Sequence, residues 1–205
     1  MEIYIVRHGQ TIWNASNLLQ GNADIELNEK GRALAGETGM NLEDVSFDKI
    51  YSSPLIRAYE TACLIRGHRN IPIIRDERLK ELNFGVNEGK NFKALLEDTS
   101  TPFHHFFDAP ELYEAPERGE TFEQICERGK AFMKEVIEPQ QEQLERVMIV
   151  AHGAMNKAMM CYIKNHGIED YWSGGLQRNC GVIIVQLHAD GYHVVDENKV
   201  FYQWE

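Results

Sequence analysis

No run of apolar residues in this 205-residue chain approaches the roughly 20 needed for a helix to cross a bilayer, so no membrane span is expected. The start, "MEIYIVRHG", also lacks the basic opening and long apolar stretch of a secretion signal. A cytoplasmic location is the expectation. Only four cysteines occur, Cys63, Cys126, Cys161 and Cys180, with no CxxC pair among them. That removes the usual signature of a zinc site or a thioredoxin-like dithiol and leaves buried free thiols as the expectation. Basic residues are in deficit: 21 Lys and Arg face 32 Asp and Glu, a net charge of −11. Nucleic acid and anionic lipid are therefore not expected as partners. A small anionic substrate remains open, because one local basic pocket can oppose the field of the whole molecule. Repeats, low-complexity tracts and long linkers are absent as well.

The 43% hydrophobic and 26% charged residues are the balance of a globular protein, and the length suits one domain over 1–205. Short apolar runs recur at 3–6 ("IYIV"), 48–53, 71–74, 147–151 ("VMIVA") and 182–187 ("VIIVQL"). Their continuity predicts strands buried on both faces, as in a parallel sheet. Helical patterns fall between them. One follows Asn28 as a cap, one opens at Pro54 in its first turn, a long amphipathic stretch runs through 120–144, and one follows 151. The end reads as a hairpin turning at Asp190-Gly191, at the sheet edge. Together these predict a three-layer α/β sandwich: a mostly parallel sheet with an antiparallel edge strand and helices on both faces. Residues 85–119, rich in aromatics, proline and acids, are too long for an ordinary connection and are expected to form an inserted subdomain or lid.

Ligands of open α/β sheets bind beyond the carboxyl ends of the strands. The first strand runs into Arg7-His8-Gly9, although a buried charge is costly unless something anionic, a side chain or a ligand, meets it. The second ends in "SSPLIRAYETA" with Arg57 in a first helical turn. "LKELNFG" follows the third and carries Glu81, while the fourth ends in "AHG" with His152-Gly153. For a phosphoryl ligand each residue type has work to do. Arginine forks match phosphate oxygens, helix N-termini present free N–H groups, and a glycine after each histidine lets the backbone approach. A neutral imidazole is a nucleophile, and a carboxyl group kept protonated can serve a leaving alcohol.

"VRHGQTIWN", "SSPLIRAYETA", "KELNFG", "VAHG", "LQGNADIELNEKGRALA" and "GETF" together resemble the histidine phosphatase, or phosphoglycerate mutase-like, superfamily. The resemblance implies His8 as a nucleophile that becomes phosphorylated. Arg7, Arg57 and His152 would clamp the phosphate, and Glu81 would act as general acid and then base. It also implies phosphate or substrate contacts for Asn14, Gln20, Gly21 and Gly153, and neither a metal nor a cofactor. The "ELNFGVNEGK" and "GETF" segments look most like the broad-specificity and α-ribazole phosphatase branches, apart from Asn87, where those branches commonly show tryptophan.

Other readings attach to the same residues. "ERLKEL" offers Glu77 beside Glu81, and His104-His105 could be a metal pair, a sensor of the leaving group or a lid contact. Thr121 could simply cap a helix. Mutases resembling this chain carry adjacent arginines in their insert, whereas this sequence has no Arg-Arg pair. Its insert holds Glu97, Asp98, Asp108, Glu111, Glu114 and Glu117, which would oppose a second phosphate. Hydrolysis of a small phosphomonoester is the expected reaction. A phosphoglycerate-type mutase and a non-catalytic binder of phosphorylated ligands are the alternatives. The terminal "VFYQWE" could dock on the chain's own sheet or on a second copy, as a homodimer would require.

Overall fold

The computed structural model of the chain describes residues 1–203. In chain order its strands are β1 (Glu2–Arg7), β2 (Lys49–Ser52), β3 (Ile73–Arg75), β4 (Arg146–Ala151), β5 (Val182–His188) and β6 (Gly191–Lys199). Its helices are α1 (Ile12–Ala15), α2 (Glu29–Asn41), α3 (Ile56–Arg66), α4 (Phe92–Glu97), α5 (Phe122–Phe132) and α6 (Gly153–Lys164). The six strands form one sheet in the order β3-β2-β4-β1-β5-β6. β1 to β4 run parallel, β5 runs antiparallel to β1, and the β5–β6 hairpin closes the edge.

Alternation along the strands divides the core in two. Ile3, Ile5, Val147, Ile149, Ile183 and Val185 point to the face covered by α5 and α6, packing with Ile125, Phe132, Met155 and Met159. Tyr4, Val6, Met148, Val150 and Ile184 point to the other face, against Ala35, Ala58, Ala62 and Ile65 of α2 and α3. The three-layer expectation is met. The layering also makes the crevice: the chain leaves β1 towards α2 on one face and leaves the adjacent β4 into α6 on the other. Their backbones diverge at the carboxyl ends, where a ligand can enter.

Asn28 caps α2, its side chain accepting from Gly31 N at 2.8 Å, and Thr121 caps α5 in a reciprocal capping box with Gln124. Pro54 is not in the first turn of α3: the helix begins at Ile56 behind the cap residue Leu55. Nor does the amphipathic stretch at 120–144 make one helix. α5 ends at Phe132, a wider turn follows over Met133–Ile137, and a tight one over Glu138–Gln140. Pro139 has no N–H to donate and its ring conflicts with the carbonyl four residues back, which ends regular helix there. All four cysteines are free thiols, with Cys161 and Cys180 buried but Cys63 and Cys126 only half-buried.

The segment at 85–119 is pinned at its base by the bridge Phe84↔Gly119 and to the loop after α1 by Leu18↔Asn91. Its aromatic side chains do not form a separate core. Phe103 and Phe106 stack at 5.3 Å between ring centres and belong to the same apolar cluster as Phe122 and Tyr171. At the other end of the chain Tyr202 is buried and Phe201 stacks on Tyr4 at 6.3 Å, so these two terminal aromatics dock on their own sheet. Trp204 lies outside the described residues. Among the described residues no helix is long and apolar enough to cross a membrane.

Candidate active site

At the carboxyl ends of β1 and β4 lies a cleft of about 440 Å³. Arg7, His8, Asn14, Gln20, Glu81 and Gly153 all line it. Arg57 and His152 sit directly behind, with no exposed surface of their own. Gly21 does not line the cleft. It lies against Leu82 and Glu88, and its carbonyl instead accepts from Arg57 Nη2 at 2.6 Å.

His8 is 3% exposed, and its Nδ1 lies 2.7 Å from the Gly9 carbonyl. A carbonyl can only accept, so Nδ1 carries the proton and Nε2 keeps its lone pair. Burial first, and then Arg57 and Arg7, hold the His8 pKa well below the ordinary imidazole value. The ring is neutral near pH 7. His152 is neutral for the same reasons: burial, then Arg57, His8 and Arg7. Its Nε2 lies 2.8 Å from Ser53 Oγ, and that oxygen also accepts from Leu55 N at 3.3 Å. The buried His152 Nδ1 has no hydrogen-bond partner among the described residues.

The arginines are fixed by backbone. Arg57 donates to the carbonyls of Ala23 (2.8 Å) and Gly21 (2.6 Å). With the Gln20 amide nitrogen turned to Thr11 Oγ1, its oxygen also accepts from Arg57 at 3.2 Å. The loop is held in turn by Glu88, whose carboxylate accepts from Asn22 N and Ala23 N at 2.8 and 2.6 Å. Burial pushes the Arg57 pKa down to about 10, with Glu81 opposing, and it remains a cation. Arg7 donates through Nη1 to the Gln177 carbonyl, while its buried Nε has no partner. Asn14 Oδ1 is committed to Thr11 N at 3.1 Å, so only its Nδ2–H can serve a ligand.

Of the two acids in "ERLKEL", Glu81 lines the cleft and Glu77 does not. Glu77 pairs with Lys80 at the surface, while Glu81 is buried against the start of α6. Its Oε1 accepts from Leu82 N and Met155 N at 2.9 and 3.0 Å, and its Oε2 from Ala154 N alone at 3.1 Å. The expectation that this helix N-terminus offers free N–H groups is thereby corrected, since the carboxylate occupies them. Burial raises the Glu81 pKa, and these hydrogen bonds and Arg57 only partly oppose it. The two glycines also differ from expectation in part. A Cβ at Gly153 would stand 2.8 Å from Leu176 Cδ1 and 3.6 Å from Arg7 Nε, inside the cleft. At Gly9 it would strike the Gly31 carbonyl at 2.7 Å, so that glycine serves the docking of α2 and not a ligand.

Phe84, Phe92, Phe106, Phe107, Trp172 and Leu176 line the cleft as well. The six insert acids expected to face a second phosphate do not line it, and neither do His104 and His105. Those two rings lie 3.8 Å apart, and His104 Nδ1 is tied to the Thr101 carbonyl at 2.6 Å. Asn87 lies off the cleft too, accepting from Lys90 Nζ at 2.8 Å. Among the described residues no group of three or more His, Cys, Asp or Glu side chains could hold a metal ion. Several site residues carried no signal of their own in the sequence. Ser53 meets His152, Asn179 Nδ2 donates to the His8 carbonyl at 3.0 Å, and Thr61 Oγ1 accepts from Gly9 N at 2.9 Å.

An open α/β sheet thus brings two buried histidines, two arginines and a carboxyl group together at the carboxyl ends of its strands. The family profile described as "Histidine phosphatase superfamily (branch 1)" matches residues 3–200, and the chain belongs to that superfamily. It is similar to the 2,3-bisphosphoglycerate-dependent phosphoglycerate mutase of Cytophaga hutchinsonii, with 35% identity over 82% of this chain and 79% of that one. The metal-independent phosphoserine phosphatase of Arabidopsis thaliana is 32% identical over 91% of this chain and 76% of its own. Among solved structures, Bacillus stearothermophilus YhfR superposes with a TM-score of 0.89 at 37% identity, covering 97% of each chain.

Proposed function

We propose that the chain is a phosphomonoester hydrolase working through a phosphohistidine at His8. The observation that carries this is the His8 ring: neutral, its Nδ1–H spent on Gly9, its Nε2 lone pair left to attack, between two arginines. In the first step Nε2 attacks phosphorus and the P–O ester bond breaks. Glu81 Oε2, with the fewer acceptor bonds, gives its proton to the departing alkoxide. In the second, the Glu81 carboxylate takes a proton from water, the water oxygen attacks phosphorus, the N–P bond breaks and inorganic phosphate leaves. Arg7, Arg57 and, in the tautomer protonated at Nδ1, His152 would meet the charge on the transferring oxygens.

The aromatic wall favours an ester whose alcohol is apolar and uncharged. The relatives include a mutase, but Arg7 is the one arginine and no lysine is present among the residues lining this cleft. The test is phosphate release from p-nitrophenyl phosphate with chelator present, native against His8→Ala. Turnover that survives chelation and disappears in the variant supports the reading, as does acid-labile label on His8 after a quench. Turnover indifferent to His8 removes it.

A further inference from the structure

Glu81 is held from two sides. α6 grips its carboxylate, and α5 grips its backbone. The second grip comes from Arg128, in the middle of α5. Arg128 Nη1 donates to the carbonyls of Arg78 at 2.6 Å and Lys80 at 3.1 Å, and Nη2 donates to that of Glu81 at 3.3 Å. The other edge of the guanidinium takes Glu120 in a forked pair, Nε to Oε1 at 2.7 Å and Nη2 to Oε2 at 2.8 Å. Both side chains are largely buried, at 26% and 15% exposure. Glu120 also ties in the far end of the loop: its N–H donates to the Asn83 carbonyl at 2.8 Å, and its Oε2 accepts from Asn83 N at 3.3 Å.

We propose that the Arg128–Glu120 pair positions Glu81, fixing the loop at 78–83 so that the carboxyl group meets the ester oxygen of the substrate. This rests on the reading of Glu81 as the proton donor. The chemistry asks for such a clamp. Glu81 follows one short 3₁₀ turn at Glu77–Leu79 and itself lies in no strand or helix, and proton transfer falls off steeply when the donor is misplaced. Only a planar fork can satisfy a carboxylate on one edge and three carbonyls on the other, and a lysine cannot reproduce it. Arg128 itself touches no group that reacts.

The test compares two esters of similar size. The phenolate of p-nitrophenyl phosphate leaves without a proton, whereas benzyl phosphate releases an alkoxide that needs one. Glu81→Gln is the control and is expected to lose about 100-fold more of its kcat/KM, which reports the step that expels the alcohol and not the hydrolysis shared by both esters, on benzyl phosphate than on p-nitrophenyl phosphate. Arg128→Lys and Glu120→Gln, which keep the size of the side chain, are expected to show the same bias at about 10-fold. Arg128→Ala should show it more strongly where it folds. If Arg128→Lys and Glu120→Gln slow both esters equally, or neither, while Glu81→Gln keeps its bias, the positioning role is overturned and the donor reading stands. If Glu81→Gln itself shows no bias, the donor reading fails and takes the clamp with it.

Discussion

The imidazoles of His8 and His152 stand 5.1 Å apart between ring centres, tilted by 58°, and almost nothing of either reaches solvent. Burial and two neighbouring arginines keep both neutral in the folded chain, while an unfolded chain protonates them near the ordinary value of 6.5. Below that pH the unfolded state takes up protons that the folded state refuses. Stability is therefore expected to be highest above pH 6.5 and to fall as the pH drops, by up to about 1.4 kcal/mol per unit for each histidine. Urea midpoints between pH 7 and 5.5 read this directly. His8→Asn should remove roughly half of the difference, and an unchanged slope would mean that the histidine is not held neutral.

Glu81 has the opposite sign of shift and a different readout. Its pKa is raised by burial, so the protonated form extends upward in pH from the ordinary 4.5. Turnover of benzyl phosphate should decline as the pH rises through the raised value, because the alkoxide then loses its proton source. The decline should be absent with p-nitrophenyl phosphate and absent in Glu81→Gln. A limb shared by both esters would assign it to another group.

The aromatic wall predicts a split between binding of the alcohol and binding of the phosphate. Phe107 and Trp172 pack edge to face at 4.9 Å between ring centres, and both line the cleft. Removing one ring should cost about 1–1.5 kcal/mol of contact with an aromatic alcohol. Phe107→Ala is accordingly expected to raise KM for benzyl phosphate by roughly 10-fold and to leave inhibition by inorganic phosphate unchanged. A matching loss of phosphate affinity would mean that the wall shapes the charged end as well.

How far the sequence told this in advance depended on distance along the chain. The central strands were legible as apolar runs, and Arg7, His8, Arg57 and His152 stand at such ends or within a few residues of them. The caps at Asn28 and Thr121 were legible because they act three residues away. Arg128 was not. Its partners at 78, 80 and 81 lie 47 to 50 residues back, and an arginine on an amphipathic helix gives no sign of which carbonyls it will reach. The facing of the insert was hidden likewise. Its composition showed acids and aromatics together, and only packing against Phe122 and Trp172 turned the aromatics inward. Gly9 was misread because the residue that needs its missing Cβ, Gly31, comes from another helix.

That contact offers a further test. A Cβ at Gly31 would fall 2.1 Å from the Gln10 carbonyl, so α2 could not keep its place against the loop after His8. Gly31→Ala is expected to lose about 1–3 kcal/mol of stability, read from the urea midpoint, and to weaken turnover through that loop. Gly36→Ala, on the same helix with open space at its Cβ, should cost nothing.

The carboxylate at the head of α6 has one more consequence, which concerns protons counted in solution. When ionised, Glu81 is the negative charge set against Arg7 and Arg57. A phosphate dianion entering the cleft brings a second negative charge beside it, which raises the affinity of Glu81 for a proton. Ligand binding and proton uptake are then one event. The heat of binding vanadate or phosphate near neutral pH should change with the ionisation enthalpy of the buffer, and in Glu81→Gln that dependence should vanish. The site would arm its own acid by the act of binding, with the proton drawn from the medium and spent on the alcohol that leaves.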